Sequence, residues 1–214
     1  MIGGERGLVY CTGDLKRLLD LVLSAAGLLI LSPLFLVLAL AVVTLSGWPV
    51  FFRQTRVGRD GRPFLLLKYR TMRQDAASGL PITGRGDPRI TRVGRVLRAS
   101  KLDELPQLLN VLRGDMSFVG PRPEVPRYVA RYTPEQAQVL RVRPGLTDPA
   151  TVLFRDEERL LGGVDEPRRE DYYVSDILPR KLAINLEYIT RAGVLYDLKV
   201  IFGTIWTIVR PTKA

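Results

Sequence analysis

The stretch that decides the fold runs from Leu21 to Phe52 and reads LVLSAAGLLILSPLFLVLALAVVTLSGWPVFF. It contains no charged residue and is rich in Leu, Val, Ala and Ile. Because roughly 20 apolar residues suffice to cross a bilayer, this stretch is long enough to lie within a membrane. It is too long for a cleaved signal peptide, and Gly47-Trp48-Pro49 stands where a small-residue cleavage site would follow. We therefore expect residues 1–52 to form a membrane segment and residues 53–214 to form a separate domain.

A Ser32-Pro33 pair interrupts this apolar stretch. Proline lacks a backbone N–H and clashes with the preceding helical turn, so a bend is expected there. The second arm, residues 34–46, would span only about 20 Å, which favours a helix that enters and leaves the membrane on one side. An ordinary kinked transmembrane helix is the alternative. Basic residues flank both ends, so both satisfy the positive-inside preference. They are Lys16, Arg17, Arg53, Arg56 and Arg59.

Composition restricts the chemistry that this chain can perform. Its 214 residues include no histidine and a single cysteine, Cys11, which excludes histidine-based triads, His or Cys-rich zinc sites and intrachain disulfides. The formal net charge of +10 indicates an anionic partner, whether nucleic acid, phospholipid headgroups or a phosphorylated substrate. Arginine predominates, and its guanidinium binds phosphate oxygens bidentately. The basic residues form no recognition helix, so phosphate chemistry is favoured and no nucleic acid partner is expected.

Beyond Phe52 the sequence predicts a mixed, mainly α domain with a short β-hairpin. Residues 53–58 and 63–70 are typical of strands, and a turn at Gly61 would join them. Near the C-terminus, apolar residues recur at helical spacing, which predicts an amphipathic helix. They are Leu198, Ile201, Phe202, Ile205 and Val209, with Trp206 beside them. Tryptophan and flanking basic residues favour a position at the membrane interface, and a core helix is the alternative.

An acidic pair, Asp103 and Glu104, lies in the sequence SKLDELPQLLNVL that begins at Ser100. The leucines follow helical spacing, and Pro106 is best tolerated in a first helical turn, so Ser100 or Asp103 would be the N-cap. One interpretation is that the carboxylates only cap the helix and complement its dipole. The other is chemical, because a carboxylate pair among arginines can hold a divalent cation and a carboxylate can be a nucleophile in phosphoryl transfer.

Three longer motifs surround this pair: DPRITRVG at residues 87–94, LDELPQ at residues 102–107 and GDMSFVGPRPE at residues 114–124. Together they resemble the bacterial sugar transferases, the monotopic phosphoglycosyl transferases, and the resemblance extends from about Lys16 to the C-terminus. It implies a re-entrant helix broken at Ser32-Pro33 and a catalytic domain on the cytoplasmic face of the bacterial inner membrane. The reaction it implies moves a sugar phosphate from a UDP-sugar to a polyprenyl phosphate, such as undecaprenyl phosphate, and releases UMP.

The resemblance also implies roles for individual residues. Asp103 would be the nucleophile that forms a covalent phosphosugar intermediate, and Glu104 would be its partner, the two holding a Mg²⁺ ion. Asp171 would supply a polar contact to the substrate. Basic residues would contact the phosphates or the nucleotide, although surface solvation is the alternative for any single one. They are Lys68, Arg70, Arg98, Arg122 and Arg155. Of these, Arg122 has the stronger case, because the prolines on either side of it fix its backbone.

After Thr147 the chain departs from the form of many members, with Asp148-Pro149-Ala150 where a Gly-Trp-Ala or similar stretch is usual. This departure puts the sugar specificity in doubt more than the chemistry. The rival function is a non-enzymatic, membrane-anchored basic scaffold or regulator of glycan assembly, against which the acidic pair among arginines argues. The sequence leaves open the sugar, the glycan pathway and whether the chain forms a homodimer.

Overall fold

The computed structural model describes residues 2–73, 87–154 and 157–209. These residues form a mainly helical protein with a short antiparallel hairpin, as predicted. The N-terminal part has helices α1 (Ile2–Thr12), α2 (Asp14–Ile30) and α3 (Ser32–Ser46), followed by strands β1 (Phe51–Val57) and β2 (Pro63–Tyr69). The central part has α4 (Arg92–Ala99), α5 (Gln107–Arg113), β3 (Ser117–Val119), α6 (Pro126–Val129) and β4 (Gly145–Thr147). The last part has α7 (Pro149–Leu153), α8 (Glu157–Gly162), α9 (Glu166–Tyr172), α10 (Leu178–Arg191) and α11 (Val194–Val209).

The predicted bend lies between α2 and α3. Within the described ranges no single helix is long and apolar enough to cross a membrane, but α2 and α3 together meet that criterion and are bent by 63°. Pro33 falls in the first turn of α3, where its missing N–H costs least. The Leu29 carbonyl, which Pro33 cannot bond, accepts a hydrogen bond of 2.8 Å from the Ser32 hydroxyl. Serine and proline therefore act together: one breaks the helix and the other satisfies the carbonyl left behind.

The bent helices share hydrophobic cores with the rest of the protein. Leu38 and Val42 of α3 pack with Val50, Tyr69 and Leu97, which come from the hairpin region and from α4. On the other arm, α2 packs against α5 and β3. The division of the chain at residue 52 stays a prediction, but side-chain packing is continuous across it.

Two basic residues that the sequence placed at the membrane flank bind inside the protein instead. The buried Lys16 ammonium pairs with Asp197 of α11. Arg17 donates to the carbonyls of Val111 and Leu112, at 2.7 and 2.8 Å, and so satisfies the last turn of α5. The positive-inside preference treats flanking basic residues as free charges. Because Lys16 and Arg17 are bound by other parts of the protein, they carry little information about membrane orientation here.

The hairpin has the predicted strands in a register that runs from Phe51 opposite Tyr69 to Val57 opposite Pro63. Its turn contains a left-handed residue, Asp60, with φ of 57°, as well as the expected Gly61. The buried side chain of Asn110 fixes the outer edge of β2 to α5. Its Oδ1 accepts from the Leu67 amide at 3.1 Å and its Nδ2 donates to the Leu65 carbonyl at 2.8 Å.

The largest core lies on the other side of β3 and β4, which form a short parallel pair. It is built from apolar and aromatic side chains of α1, the segment before β4, and α9 to α11. Its buried members include Val119, Val142, Ile177, Leu182 and Tyr188. Cys11 also packs here, and burial raises the pKa of its thiol to about 11, so it is an inert core residue.

Helix α11 combines the two arrangements that the sequence left open. Asp197 and Val200 are buried against the body, whereas most of the large apolar side chains of the helix are exposed. The exposed ones are Leu195, Leu198, Phe202, Ile205, Trp206, Ile208 and Val209. An apolar surface of this extent is the kind that marks a membrane or partner contact.

Candidate active site

The acidic pair lies in a short 3₁₀ turn, Leu102–Glu104, that precedes α5. The predicted N-caps, Ser100 and Asp103, do not cap the helix, because α5 begins only at Gln107 and Pro106 occupies its N-cap position. Leu105 and Pro106 both have helical backbone angles, but Pro106 has no N–H to bond the Leu102 carbonyl, so the 3₁₀ turn does not continue directly into α5. The turn is entered through Lys101 in a left-handed conformation with φ of 57°. Both acidic residues are nonetheless buried, with exposed fractions of 6% for Asp103 and 9% for Glu104.

Glu104 is held by two cations that come from distant parts of the chain. Lys68 Nζ of β2 lies 2.8 Å from Glu104 Oε1. Arg122 places Nη2 at 2.7 Å from Oε1 and Nη1 at 3.4 Å from Oε2. Burial alone would raise the pKa of Glu104, but Arg122 and Lys68 outweigh it and hold the pKa well below its usual range. Glu104 is therefore ionised throughout the physiological pH range.

Asp103 has the opposite environment. Its Oδ1 is buried and accepts no hydrogen bond from the residues that the structure describes. Burial raises the pKa of Asp103, Lys68 opposes that effect, and the neighbouring Glu104 charge adds to it. Two adjacent carboxylates with pKa values pushed apart are typical of a site where the two groups have different roles. Within the described residues, Asp103 Oδ1 therefore has free acceptor capacity.

Arg122 lies in a segment without regular structure between β3 and α6, which we call the Arg122 loop (residues 120–125). The loop starts where Gly120 and Gly145 approach too closely for side chains. A Cβ on Gly145 would lie 2.2 Å from the Gly120 amide nitrogen. The parallel β3–β4 pair thus directs the loop toward the acidic turn.

The structure groups some of the predicted residues with the acidic pair. Lys68 and Arg122 contact Glu104 directly. Arg98, in the last turn of α4, is close enough to lower the pKa of Asp87, although the paired Arg89 has the largest effect there. Arg98 also opposes the rise in the pKa of Asp103. It therefore adds positive charge beside the pair without closing an ion pair on Glu104.

The other predicted contacts lie elsewhere. The guanidinium of Arg70 is buried at the end of α3, where it donates to the carbonyls of Trp48 at 2.7 Å and Gly47 at 2.6 Å, and also to that of Ser46. Asp171 is exposed on α9, and no hydrogen bond or ion pair links it to Glu104 in the described part of the chain. Arg155 lies outside the described residues.

Asp148 is a buried residue near the site. From the sequence it was predicted only to be part of a departure from the family pattern. Its carboxylate accepts a hydrogen bond from the Thr151 amide and so caps α7. Burial raises its pKa, and Lys181 and Arg122 oppose that rise, which places Asp148 within electrostatic reach of the Arg122 loop. Asp followed by Pro149 at the first helical position is a recognisable cap signal, but its proximity to Arg122 depends on the tertiary fold.

The donor set suits a magnesium ion only in combination with a substrate. In the ranges described, no three His, Cys, Asp or Glu side chains converge on one point. Magnesium commonly takes one or two carboxylates together with phosphate oxygens and water. Asp103 Oδ1 has free acceptor capacity, whereas Glu104 Oε1 already binds both Lys68 and Arg122. A diphosphate would have to supply part of the coordination.

A buried carboxylate pair beside guanidinium and ammonium groups, next to a bent apolar helix pair, is the kind of site that suits phosphate chemistry. Comparison with known sequences is consistent with this class of protein. A family model described as bacterial sugar transferase matches residues 12–211. The chain belongs to the bacterial sugar transferase family.

Several curated relatives align over nearly the whole chain. A UDP-glucose:undecaprenyl-phosphate glucose-1-phosphate transferase of Caulobacter vibrioides is 43% identical over 195 residues, which cover 89% of this chain and 68% of that protein. The exopolysaccharide production protein PSS of Rhizobium leguminosarum is 38% identical, over 89% of this chain and 93% of that protein. The Escherichia coli UDP-glucose:undecaprenyl-phosphate glucose-1-phosphate transferase is 38% identical, over 90% of this chain but only 39% of that longer protein.

Proposed function

We propose that this chain is a polyprenyl-phosphate sugar-1-phosphate transferase that takes its phosphosugar from a UDP-sugar and uses Asp103 as nucleophile. The observation that carries the proposal is the buried, unpartnered Oδ1 of Asp103 beside a Glu104 that is fixed by Lys68 and Arg122. The names of the relatives support the reaction class, since those from Caulobacter and Escherichia coli are glucose-1-phosphate transferases.

The proposed reaction has two displacements at phosphorus. Asp103 Oδ1 attacks the β-phosphorus of the UDP-sugar, the bond to the bridging oxygen breaks, and UMP leaves with the bonding electrons. A phosphate oxygen of the polyprenyl phosphate then attacks the acyl-phosphate, which releases the Asp103 carboxylate and gives a lipid-linked diphosphosugar. Phosphoryl transfer depends mainly on positioning and electrostatics, which explains how a site without histidine can serve.

The surrounding residues would supply that electrostatic support. Arg122 and Lys68 keep Glu104 ionised and present positive charge beside Asp103, and Arg98 adds to it. A magnesium ion held by Asp103 and Glu104 together with the diphosphate would neutralise charge on the transferring phosphate. Because no described residue donates a hydrogen bond to Asp103 Oδ1, the attack of this oxygen on phosphorus would break no such hydrogen bond.

The membrane position follows from the apolar surfaces. We infer that α2 and α3 form a re-entrant pair in the cytoplasmic leaflet of the bacterial inner membrane and that α11 lies at its interface. Exposed side chains at the bend, including Leu29, Ile30, Leu36 and Val37, support this arrangement because they would otherwise face water. Phospholipid would cover them, and the acidic pair would lie near the level at which a lipid-borne phosphate is presented.

The direct test measures UMP release by purified protein with Mg²⁺, polyprenyl phosphate and a panel of UDP-sugars that begins with UDP-glucose. Asp103→Asn should abolish both UMP release and the labelling of the protein by a radioactive phosphosugar, because the amide is too weak a nucleophile. Asp115→Asn is the matched control, since the side chain of Asp115 accepts a hydrogen bond from Asn110 and makes no contact with Glu104 among the described residues, so turnover should stay intact. Full turnover by Asp103→Asn would refute the nucleophile assignment, and silence across the panel would favour a non-enzymatic scaffold.

A further inference from the structure

The Arg122 loop is held at both ends by main-chain hydrogen bonds. At its start, the Gly145 amide donates to the Pro121 carbonyl at 2.9 Å. At its end, the Val57 amide of β1 donates to the Glu124 carbonyl, also at 2.9 Å. The prolines on either side of Arg122 have no N–H to contribute a further anchor. The position of the Arg122 side chain therefore depends on what holds the end of the loop against β1.

Arg56 is the side chain that reaches this end of the loop. Its Nη1 donates to the Pro123 carbonyl at 3.0 Å and lies 3.5 Å from Glu124 Oε2. Its Nε and Nη2 both donate to Gln54 Oε1, at 3.1 and 2.8 Å. Gln54 and Arg56 are two residues apart on β1 and so share one face of the strand. Because the guanidinium is planar and rigid, fixing two of its edges fixes the direction of the third.

Glu124 completes the contact and is itself fixed. It is buried, and its Oε1 accepts a hydrogen bond from the Tyr173 hydroxyl while Oε2 faces Arg56. Burial lowers the pKa of Arg56, Glu124 opposes that effect, and the like charge of Arg122 adds to it. Arg56 and Arg122 are thus near enough to repel each other. That repulsion favours the orientation in which Arg122 points away from Arg56 and onto Glu104.

We propose that Arg56 and Glu124 are positioning residues that hold the Arg122 guanidinium on Glu104 and thereby tune the site for the diphosphate of the donor. Neither residue has a hydrogen bond or ion pair with Asp103 or Glu104 in the described ranges, and both contact the Arg122 loop or its end. The charge of Arg56 also acts on Glu104 through space, and combining Arg56→Gln with Arg122→Gln distinguishes that direct effect from positioning. The kinetic consequence rests on the proposed function, whereas the anchoring of the loop does not.

Kinetics of donor use provide the first test. Arg56→Gln should lower kcat/KM for the UDP-sugar by roughly 10- to 100-fold, because small misplacements of a charged group at the reacting centre are costly. Arg56→Lys should recover part of that loss, since an ammonium can still reach the Pro123 carbonyl but cannot also hold Gln54. Arg53→Gln is the control, because Arg53 is exposed on the same strand and has the same charge. Wild-type constants for Arg56→Gln, or an equal loss in Arg53→Gln, would overturn the proposal.

A double variant separates positioning from general damage. If Arg56 acts through Arg122, then Arg56→Gln combined with Arg122→Gln should be no slower than Arg122→Gln alone, within about twofold. Losses that multiply would show that Arg56 acts independently and would refute the proposal. Glu124→Gln keeps the shape of the side chain, so it serves as a second variant if Arg56→Gln fails to fold. We expect it to lower kcat/KM in the same direction, by a smaller factor.

Hydrogen exchange tests the anchor without any turnover. The Val57 amide bonds to the Glu124 carbonyl, so its exchange should quicken several-fold in Arg56→Gln and in Glu124→Gln. The exchange of the Leu67 amide, which lies on the neighbouring strand β2 and donates to Asn110 of α5, should stay unchanged. Unchanged exchange at Val57 would overturn the proposal. If the wild-type chain releases no UMP from any donor, the proposed function fails, and the exchange data still decide whether Arg56 anchors the loop.

Discussion

At the scale of single residues, Asp103 and Glu104 show how two neighbouring carboxylates acquire different properties. Glu104 gains two cations, whereas Asp103 loses water and gains no donor on Oδ1 from the described residues. The difference arises because Lys68 and Arg122 approach from β2 and from the Arg122 loop, on the side of Glu104. A buried carboxylate left without a full set of partners costs stability, and such a cost is expected if Asp103 has the proposed chemical role.

This contrast predicts stability changes of opposite sign. Asp103→Asn should raise the free energy of unfolding at neutral pH by roughly 1 kcal/mol, because it removes a buried charge that its surroundings do not fully compensate. Glu104→Gln should lower it by roughly 2 kcal/mol, since Lys68 and Arg122 lose their counter-charge while keeping some solvent access. Denaturant unfolding in detergent would measure both. Destabilisation of similar size in the two variants would contradict the assigned environments.

The pKa directions also predict a pH dependence. The pKa of Asp103 is raised by burial, so its carboxylate is lost on acidification at a higher pH than an ordinary aspartate, and turnover should fall there. For stability the sign is reversed: a raised acid pKa favours the folded state below the unfolded value, and this contribution is lost as pH rises through the folded value. The low pKa of Glu104 keeps its ion pairs intact over the same range. Rate and unfolding measurements from pH 4 to 8 would check both signs, with Asp103→Asn as the variant that lacks the stability change.

Residue identity at the site could be predicted from the sequence only where the signal is local. The family resemblance implied roles for Asp103, Glu104, Lys68 and Arg122, and the structure brings these four together. The opposite pKa shifts could not be predicted, because they depend on which of the two carboxylates faces the cations. The sequence indicated Arg56 only as one of several basic residues that flank the apolar stretch, because its contacts with Pro123 and Glu124 depend on the tertiary fold.

At the scale of elements, the junction between α3 and the hairpin depends on Arg70. Helix α3 ends at Ser46, its C-cap Gly47 has a φ of 78°, and its last carbonyls have no helical partner. Arg70 donates to the carbonyls of Ser46, Gly47 and Trp48 and so substitutes for a C-cap. A buried guanidinium with three acceptors suits an anchor for this junction, a different place from the acidic pair.

Arg70→Lys should therefore act on stability more than on substrate. A lysine can satisfy only part of this set of carbonyls, so the free energy of unfolding should fall by roughly 2 kcal/mol. The KM for the UDP-sugar should stay within about twofold of the wild-type value, because the guanidinium of Arg70 is engaged by the carbonyls of residues 46–48. Arg73→Lys, on the segment after β2, is a control for the loss of a guanidinium. A large rise in KM with unchanged stability would instead return Arg70 to the substrate contacts.

Elements were predictable where one short stretch decides the conformation. Ser32-Pro33 specifies a bend and Gly61 a turn, whatever the rest of the chain does. The predicted start of α5 was wrong. The helical spacing of the leucines extends through the acidic turn, whereas the α-helix begins only at Gln107, after Pro106. In that case the missing N–H of Pro106 overrides the hydrophobic pattern.

At the scale of the whole molecule, the bent pair and α11 leave much apolar surface uncovered. A re-entrant pair predicts that both ends of this segment lie on the cytoplasmic side. Asp14 and Arg53 are both exposed, so each can be tested as a single cysteine, Asp14→Cys or Arg53→Cys, in a Cys11→Ala background. An impermeant maleimide should label either cysteine in inverted membrane vesicles but not in spheroplasts. Labelling of either position from outside would show that the pair spans the membrane.

The buried ion pair between Lys16 and Asp197 has a consequence for how the protein is made. These residues are 181 positions apart, and the tyrosines Tyr10 and Tyr188 also donate to Asp197. During synthesis, α2 leaves the ribosome long before α11 has been made. The Lys16 ammonium and the apolar side chains of α2 must therefore have another favourable environment until Asp197 is available. Lipid can accept both, because a lysine near a helix end reaches the headgroup level. The membrane would then stabilise α2 during synthesis, and folding around Lys16 could be completed only after α11 had been made.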